Sequence, residues 1–470
     1  MRIPVPHFRI KMVEPIRCLP AVERFQRMAA AAYNVFYLRS DDVFIDMLTD
    51  SGTSAMSDVQ YAALITGDEA YAGSRSFAQL ATVVRAITGM EYVIPVHQGR
   101  AAEHIFFRTM VQPGQIVPSN THFDTTRANL RIVGAIPVDL PVPESADPDT
   151  DHPFKGNMDV DRLADLLRRT PRSRIPFIML TLTNNAMGGQ PVSMANVRAV
   201  REIADQYGIP IVMDIARYAE NCYLIRQREP GYRDRSVRAI ARELLSHADA
   251  CLMSAKKDGL VHIGGLIVTR HRTWYERLLP HLIALEGFRT YGGLAGHDLA
   301  ALAVGLEESL DETYLAHRIG QIAWMVEACI RRDIPVVRPA GGHALYLVGE
   351  RIMAHVPKPE FPGQALVVAL YCAGGIRAVE IGSLAFGGEG NHTDAPDIPH
   401  ELVRLCIPRR VYLTEHLQYV IEVLAEINRR AHEWPGFRIE WAPPILRHFL
   451  ARLAPTGPMP DPHRWATVPA

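Results

Sequence analysis

The chain has 470 residues, nearly half of them apolar, with 50 basic against 51 acidic side chains and a formal net charge of −1. That length suits two or three domains with a large buried core, and the even charge balance offers no electrostatic footprint for nucleic acid or an anionic membrane. Cys18, Cys222, Cys251, Cys329, Cys372 and Cys406 show no zinc or redox spacing, Met1 to His7 lacks the apolar core of a signal peptide, and no apolar run reaches the length of a membrane span, so a soluble cytoplasmic enzyme is expected.

In chain order, apolar residues at Phe77, Leu80, Val84 and Ile87 predict a helix from about Ser74 that stops at Gly89. A short strand (Tyr92 to Val96) leads through His97-Gln98-Gly99-Arg100 into a second helix carrying Ile105, Phe106 and Met110. The Pro-Asp stretch from Pro141 to Pro153 predicts an exposed loop. Ile175 to Thr183 predicts a buried strand, Ser193 caps a helix that ends at Gly208, and Ile209 to Met213 is the next strand. A helix with Val237, Ile240 and Leu244 precedes the apolar run Ala250 to Met253, and Gly265 to Thr269 follows. Strands alternating with helices predict an α/β fold with a mainly parallel sheet covered on both faces.

After Gly293 the pattern changes to long helical stretches reaching Ile330, then strands at Ala344 to Val348 and Val403 to Ile407, and a helix from about Glu415 to Asn428. The expected division is an N-terminal arm that is part of the small domain (1–48), a large α/β domain (49–310), a small α+β domain (311–453) and a loosely ordered Pro-rich tail (454–470).

Only five lysines remain among the 50 basic residues, yet two of them stand together in Ser254-Ala255-Lys256-Lys257-Asp258, at the end of an apolar strand. Arginine stays charged near neutral pH, whereas a desolvated lysine can become a neutral amine, so Lys257 is a candidate Schiff-base nucleophile. Three further features suit the same cofactor, pyridoxal phosphate. Gln98-Gly99-Arg100 lies at a strand-to-helix turn, where open backbone amides favour a phosphate. Asp214 ends another apolar strand, where a carboxylate keeps a pyridinium nitrogen protonated. Phe123, in Thr121-His122-Phe123-Asp124-Thr125-Thr126, can stack on the ring. Singly, each has a plainer use: a turn glycine, a helix cap or ion pair with Arg217, a core phenylalanine. An Asp on one strand and a Lys after the next βα unit, behind a phosphate loop, is the order of fold-type-I pyridoxal enzymes.

Long strings carry a family resemblance: Phe8-Arg9-Ile10-Lys11, Leu48-Thr49-Asp50-Ser51-Gly52-Thr53, Gly67-Asp68-Glu69-Ala70-Tyr71, His97-Gln98-Gly99-Arg100, Gly188-Gly189-Gln190-Pro191-Val192-Ser193, Ser254-Ala255-Lys256-Lys257-Asp258, Tyr291-Gly292-Gly293 and Ile407-Pro408-Arg409. From about Pro6 to Leu453 the chain resembles the β-eliminating lyases, the family of tryptophanases and tyrosine phenol-lyases. The resemblance implies that Lys257 binds the cofactor and moves the α-proton. Gln98, Gly99, Arg100, Ser254 and Lys256 would surround the phosphate, Phe123 would stack on the ring, Asp214 would meet its nitrogen, and Asn185 and Arg217 its phenolic oxygen. Arg404, with Thr49, Ser51 and Asn185, would take the substrate carboxylate, as suits a bidentate guanidinium. Tyr71 from a neighbouring subunit would protonate the leaving ring, while Gly52, Glu69 and an oxygen near His262 would hold potassium between subunits of a homotetramer.

Several positions bear on the substrate. Tyrosine phenol-lyases have Thr where this chain has Asp124, and Arg where it has Ile381; Phe288 and His448 are also tryptophanase-like, although a histidine in such an apolar setting is ordinarily an interior one. Asp124 would accept a hydrogen bond from an indole N–H. The implied reaction is β-elimination of L-tryptophan to indole, pyruvate and ammonia. A β-lyase for a substituted tryptophan, tyrosine or another amino acid with a β leaving group is the alternative, and a catalytically inactive pyridoxal-binding protein or an aminotransferase are the readings from other classes. Arg289 (where the family has Pro), Met187, Ala101 and Asn129 depart from the family pattern, through drift or through a reshaped pocket.

Overall fold

The computed structural model describes residues 2–387, 400–444 and 446–465, without the side chain of Met187. A seven-stranded sheet forms the larger of two compact units, which spans Asp50–Ser145 and His152–Ile319. Its strands are β1 (Tyr92–Val96), β2 (Ile116–Ser119), β3 (Ile136–Asp139), β4 (Ile178–Thr181), β5 (Ile211–Asp214), β6 (Ala250–Ser254) and β7 (Gly265–Thr269), in the order β1-β7-β6-β5-β4-β2-β3. The strands from β3 to β6 in that order are parallel, and β7 runs antiparallel to both β6 and β1. Ile178, Met179, Leu180, Ile211, Val212 and Met213 are fully buried, which explains their unbroken apolar runs: a parallel strand covered on both faces has no solvent side to keep polar.

Local signals set the flanking helices. Ser74 accepts the Phe77 N–H at 3.1 Å to start the helix Arg75–Thr88, and Gly89 closes it at φ +72°. The hydroxyl of Ser193 caps Met194–Gln206, while the carboxylate of Glu229 takes the N–H groups of Met194 and Ala195. Three helices carry the site: α1 (Gly99–Met110), α2 (Asp124–Ile132) and α3 (Tyr218–Arg228). The expected strand Ile175 to Thr183 is shorter than its apolar run, because Leu182 and Thr183 already belong to the turn after β4 and Thr183 takes φ +50°.

The smaller unit comprises Met1–Thr49, Ala146–Asp151 and Gly320–Ala470. Its antiparallel sheet of β8 (Ala344–Val348), β9 (Val379–Ile381) and β10 (Leu402–Cys406) packs on the buried helix Pro362–Gly374. The division between units falls within the helix Glu312–Ile330 rather than at residue 310, since that helix runs on without a break. Within the expected exposed loop at 141–153, Asp149 pairs with Arg338 and Arg351 and draws 146–151 into this unit.

The expectation of a loosely ordered tail fails for residues 454–465. Arg452–Pro455 pairs antiparallel with Phe437–Trp441, and Trp465 is wholly buried, its ring 5.0 Å from that of Trp434, with the Arg430 guanidinium 4.1 Å from its centroid. One aromatic side chain anchors a segment whose composition is otherwise that of a loop. Residues 466–470 lie outside the described residues. No described helix is long and apolar enough to cross a membrane.

Candidate active site

The carboxyl ends of β5 and β6 and the amino end of α1 meet in the larger unit. Gly99 opens α1 directly against the end of β6: a methyl group there would stand 2.6 Å from Ser254 Cβ and 2.8 Å from its Cα. Gly265 is equally confined, with its added carbon 2.5 Å from the Gln98 carbonyl carbon. Two glycines thus let a helix start approach a strand end, and Gln98 supplies no capping side chain to the amides of that first turn. Burial and then the positive charge of Arg100 push the Lys256 ammonium below its ordinary pKa, so two cations and open helix amides face one spot. That cradle fits a phosphate. Gly99→Ala is expected to weaken cofactor affinity about tenfold or more, measured by titrating the apo-protein, because the backbone it meets cannot yield.

Lys257 follows in the turn after β6. Burial, then the charge of Arg217, holds its amine down to about 8, against the opposing pull of Asp50, Asp214 and Glu103. About a tenth of such an amine is neutral at pH 7, hundreds of times the fraction of an ordinary lysine, which suits a Schiff-base nucleophile. Asp214, the last residue of β5, accepts the Ala216 N–H at 3.0 Å, and burial raises its pKa while Lys257 and Arg217 oppose that rise. A ring nitrogen that carries a proton suits such a carboxylate. Phe123 is the residue before α2, and Asp124 is its first residue. Asn185 begins a single 3-10 turn after β4.

Arg217 is held by a partner that sequence reasoning had given no role. Its Nε and Nη2 donate to the two oxygens of Asp50 at 2.9 and 2.7 Å, and both side chains are buried. A buried arginine demands such a carboxylate, but the burial of Arg217 is set by the fold, so the Thr49-Asp50-Ser51-Gly52 string carries no sign of the pairing. Glu103, one turn into α1, has no motif in the sequence to mark it; it lies buried among the hydroxyls of Thr125 and Thr126 and is pushed up to about 7, chiefly by burial.

Gly52 sits at φ +76°, donates its N–H to the Lys256 carbonyl at 2.8 Å, and lies against the His262 carbonyl, 2.9 Å from where a methyl group would stand. Glu69 is engaged elsewhere, accepting from the N–H groups of Gly296 and His297 at 3.0 and 3.2 Å and contacting the His297 ring at 2.8 Å. Within one chain, then, Gly52 and His262 come together while Glu69 is bound at another helix start. Tyr71 is 70% exposed, stacked at 6.0 Å on Phe288 and tilted against Tyr291 at 5.1 Å. Arg289 turns from that cluster to donate to the Tyr275 hydroxyl at 3.1 Å. Of the other departures, Asn129 bonds to Glu103 at 3.3 Å, Ala101 packs beside the core of α1, and the Met187 side chain lies outside the described residues.

In the smaller unit, Arg404 lies mid-strand in β10 between Val379 and Tyr346, and donates to the Leu48 carbonyl at 3.1 Å, one residue before Thr49. Ile381 is buried at the end of β9 opposite Leu402. His448 is buried beside Phe36 and Phe449 and is held down to about 4 by burial and by the charges of Arg404 and Arg447, so its imidazole is neutral at physiological pH. Ser51 follows Asp50 in the larger unit.

The β-eliminating lyase family model matches residues 46–423, a span that includes the glycine cradle, Asp214, Lys257 and Arg404. The chain belongs to the β-eliminating lyase family. The lyase is 50% identical over 451 residues to the tryptophanase of Salinibacter ruber, covering 96% of this chain and 95% of that one. It is 45% identical over 449 residues to the tyrosine phenol-lyase of Symbiobacterium thermophilum, covering 95% and 98%. Its backbone matches Sphingomonas wittichii serine palmitoyltransferase with a TM-score of 0.58 at 14% identity, covering 88% and 97% of the two chains, which shows the fold-type-I architecture. This lyase is a pyridoxal-phosphate-dependent carbon–carbon lyase, as the residue constellation predicts.

Proposed function

We propose that this lyase cleaves L-tryptophan with water to indole, pyruvate and ammonia. The observation that supports this choice of substrate is the residue type at two positions, an acidic side chain at Asp124, which follows Phe123 at the start of α2, and a buried apolar one at Ile381. A carboxylate can accept the indole N–H, whereas a tyrosine phenolate would find no cation at residue 381.

Bound pyridoxal phosphate supplies an electron sink that makes the substrate Cα–H acidic and allows the β-bond to break. Arg404, helped by Thr49, Ser51 and Asn185, fixes the substrate carboxylate and so orients that Cα–H bond. Lys257 takes the α-proton, a task suited to an amine titrating near the working pH. Asp214 holds the ring nitrogen protonated, and Arg217 faces the phenolic oxygen with its charge balanced by Asp50. Tyr71 from a second copy of the chain delivers a proton to the indole carbon; its outward exposure beside Phe288 favours action on a partner. A shared site, in a homotetramer, is further supported by the exposed apolar residues Val59 and Ile65 on the neighbouring helix Asp58–Thr66. Potassium would bind at the Gly52 and His262 carbonyls, with Glu69 reaching it in the assembly, and five buried free cysteines suit the reducing cytoplasm.

A panel of tryptophan, substituted tryptophans, tyrosine and S-alkylcysteines, scored by pyruvate release, tests the assignment. Tryptophan should exceed tyrosine, and Asp124→Ala should lower kcat/KM for tryptophan about ten- to hundredfold, the value of a hydrogen bond to a charged group. S-alkylcysteines, whose leaving groups need little assistance, should be nearly indifferent to that change. Faster turnover of tyrosine than of tryptophan would reject the reading, and a keto acid that retains the substrate side chain would mark an aminotransferase.

A further inference from the structure

We propose that Glu103 is a positioning residue that braces the phosphate-binding helix α1 against α2, and thereby sets where Phe123 and Asp124 stand toward cofactor and substrate. Glu103 lies one turn beyond Gly99 and Arg100 and is buried. Its carboxyl group receives hydrogen bonds from the hydroxyl of Thr125 at 3.0 Å, from the hydroxyl of Thr126, and from the Asn129 amide at 3.3 Å, all in the first two turns of α2. The N-cap of α2, Phe123, offers no side-chain acceptor; within the helix Asp124 accepts the Thr125 N–H, and Glu103 holds the same turns from outside through their side chains. Asp139 steadies the same stretch from another direction, taking the His122 N–H at 2.9 Å, its ring Nδ1 at 2.6 Å, and Arg127.

The chemistry of the brace follows from its surroundings. The carboxylates of Asp214 and Asp124 raise the pKa of Glu103, the Lys257 amine is the cation it interacts with, and Asn129 contributes an amide rather than a second cation. A protonated acid is therefore a large part of its population near neutral pH, and an amide side chain mimics that form well. One departure from the family pattern, Asn129, thereby gains a role as the third donor to the brace.

The inference rests on the reading that Phe123 stacks on the ring and Asp124 meets the substrate, and the test separates the two. Amide hydrogen exchange across 124–132 is measured in the apo-protein for Glu103→Ala, Glu103→Gln and Thr126→Val, and kcat/KM is measured in the holoenzyme with tryptophan and with S-ethylcysteine. Glu103→Ala should speed exchange throughout α2 and lower kcat/KM for tryptophan about tenfold, with S-ethylcysteine changed less than about threefold. Thr126→Val should show a smaller loss of the same kind, and Glu103→Gln should restore most of both measures. Unchanged exchange in Glu103→Ala, or equal losses for the two substrates, would overturn the proposal. If Glu103→Ala does not fold, Thr126→Val decides by the same criteria: faster exchange with a selective loss on tryptophan supports the brace, and wild-type behaviour rejects it. Should Asp124→Ala leave tryptophan turnover intact, the substrate reading fails by itself and the exchange data alone decide on the brace.

Discussion

Replacing Lys257 with alanine is expected to lower kcat about ten-thousandfold and to abolish the visible absorbance of the bound cofactor, measured by pyruvate release and by spectrum. Lys256, next in sequence, is also lowered, but by burial and the charge of Arg100, whereas the amine of Lys257 is the one that interacts with Asp214. The same burial that activates Lys257 has a cost in the apo-protein. Its folded pKa, about 8, lies below the ordinary 10.5, so between those values the unfolded chain binds more protons and stability rises with pH. Below about pH 8 the cost is fully present. Lys257→Met should therefore stabilise the apo-protein by about 1–3 kcal/mol at pH 7 in urea unfolding, and the gain should vanish above pH 10.5. A variant less stable than wild type at pH 7 would contradict the desolvation account.

Asp50→Ala should destabilise the apo-protein by about 3–5 kcal/mol, because it leaves the buried guanidinium of Arg217 without its bidentate partner. The loss follows from desolvation rather than from the worth of the pair, so a double replacement by apolar residues, Asp50→Leu with Arg217→Met, should recover most of it. Function should respond differently. Asp50 raises the Lys257 pKa and Arg217 lowers it, so removing Asp50 alone should shift the acid-side limb of kcat/KM, where the Lys257 amine must lose its proton to act as a base, to lower pH, while the double variant should lose turnover despite its regained stability. Equal stability of Asp50→Ala and wild type in denaturant melts would refute the pairing.

Much of this site is visible along the chain. Asp214 and Lys257 end β5 and the turn after β6 as their apolar runs predict, Ser74 and Ser193 cap the helices they precede, and Gly99 marks a strand-to-helix turn. Asp50 and Glu103 were not legible as site residues. Asp50 meets Arg217 across 167 positions, and nothing near either in sequence announces the other. Glu103 sits among Ala102, Phe106 and Phe107 on α1, a polar residue in an apolar neighbourhood, but its importance depends on which hydroxyls α2 brings to it. Trp465 shows the same limit in the smaller unit: a tail judged by its prolines was ordered by one ring that found Trp434.

By itself the sequence determines what is written within a turn or a strand: the alternation of elements, the caps, the order of phosphate loop, Asp214 and Lys257, and the family to which they belong. Such features depend on backbone preference and apolar periodicity, which neighbouring residues share. Only the tertiary structure decides desolvation and charge pairing, because both depend on atoms delivered by distant segments. That is why the amine of Lys257 is lowered by Arg217 and restrained by Asp50, and why Tyr71 points outward beside Phe288 while Arg289 turns away to Tyr275.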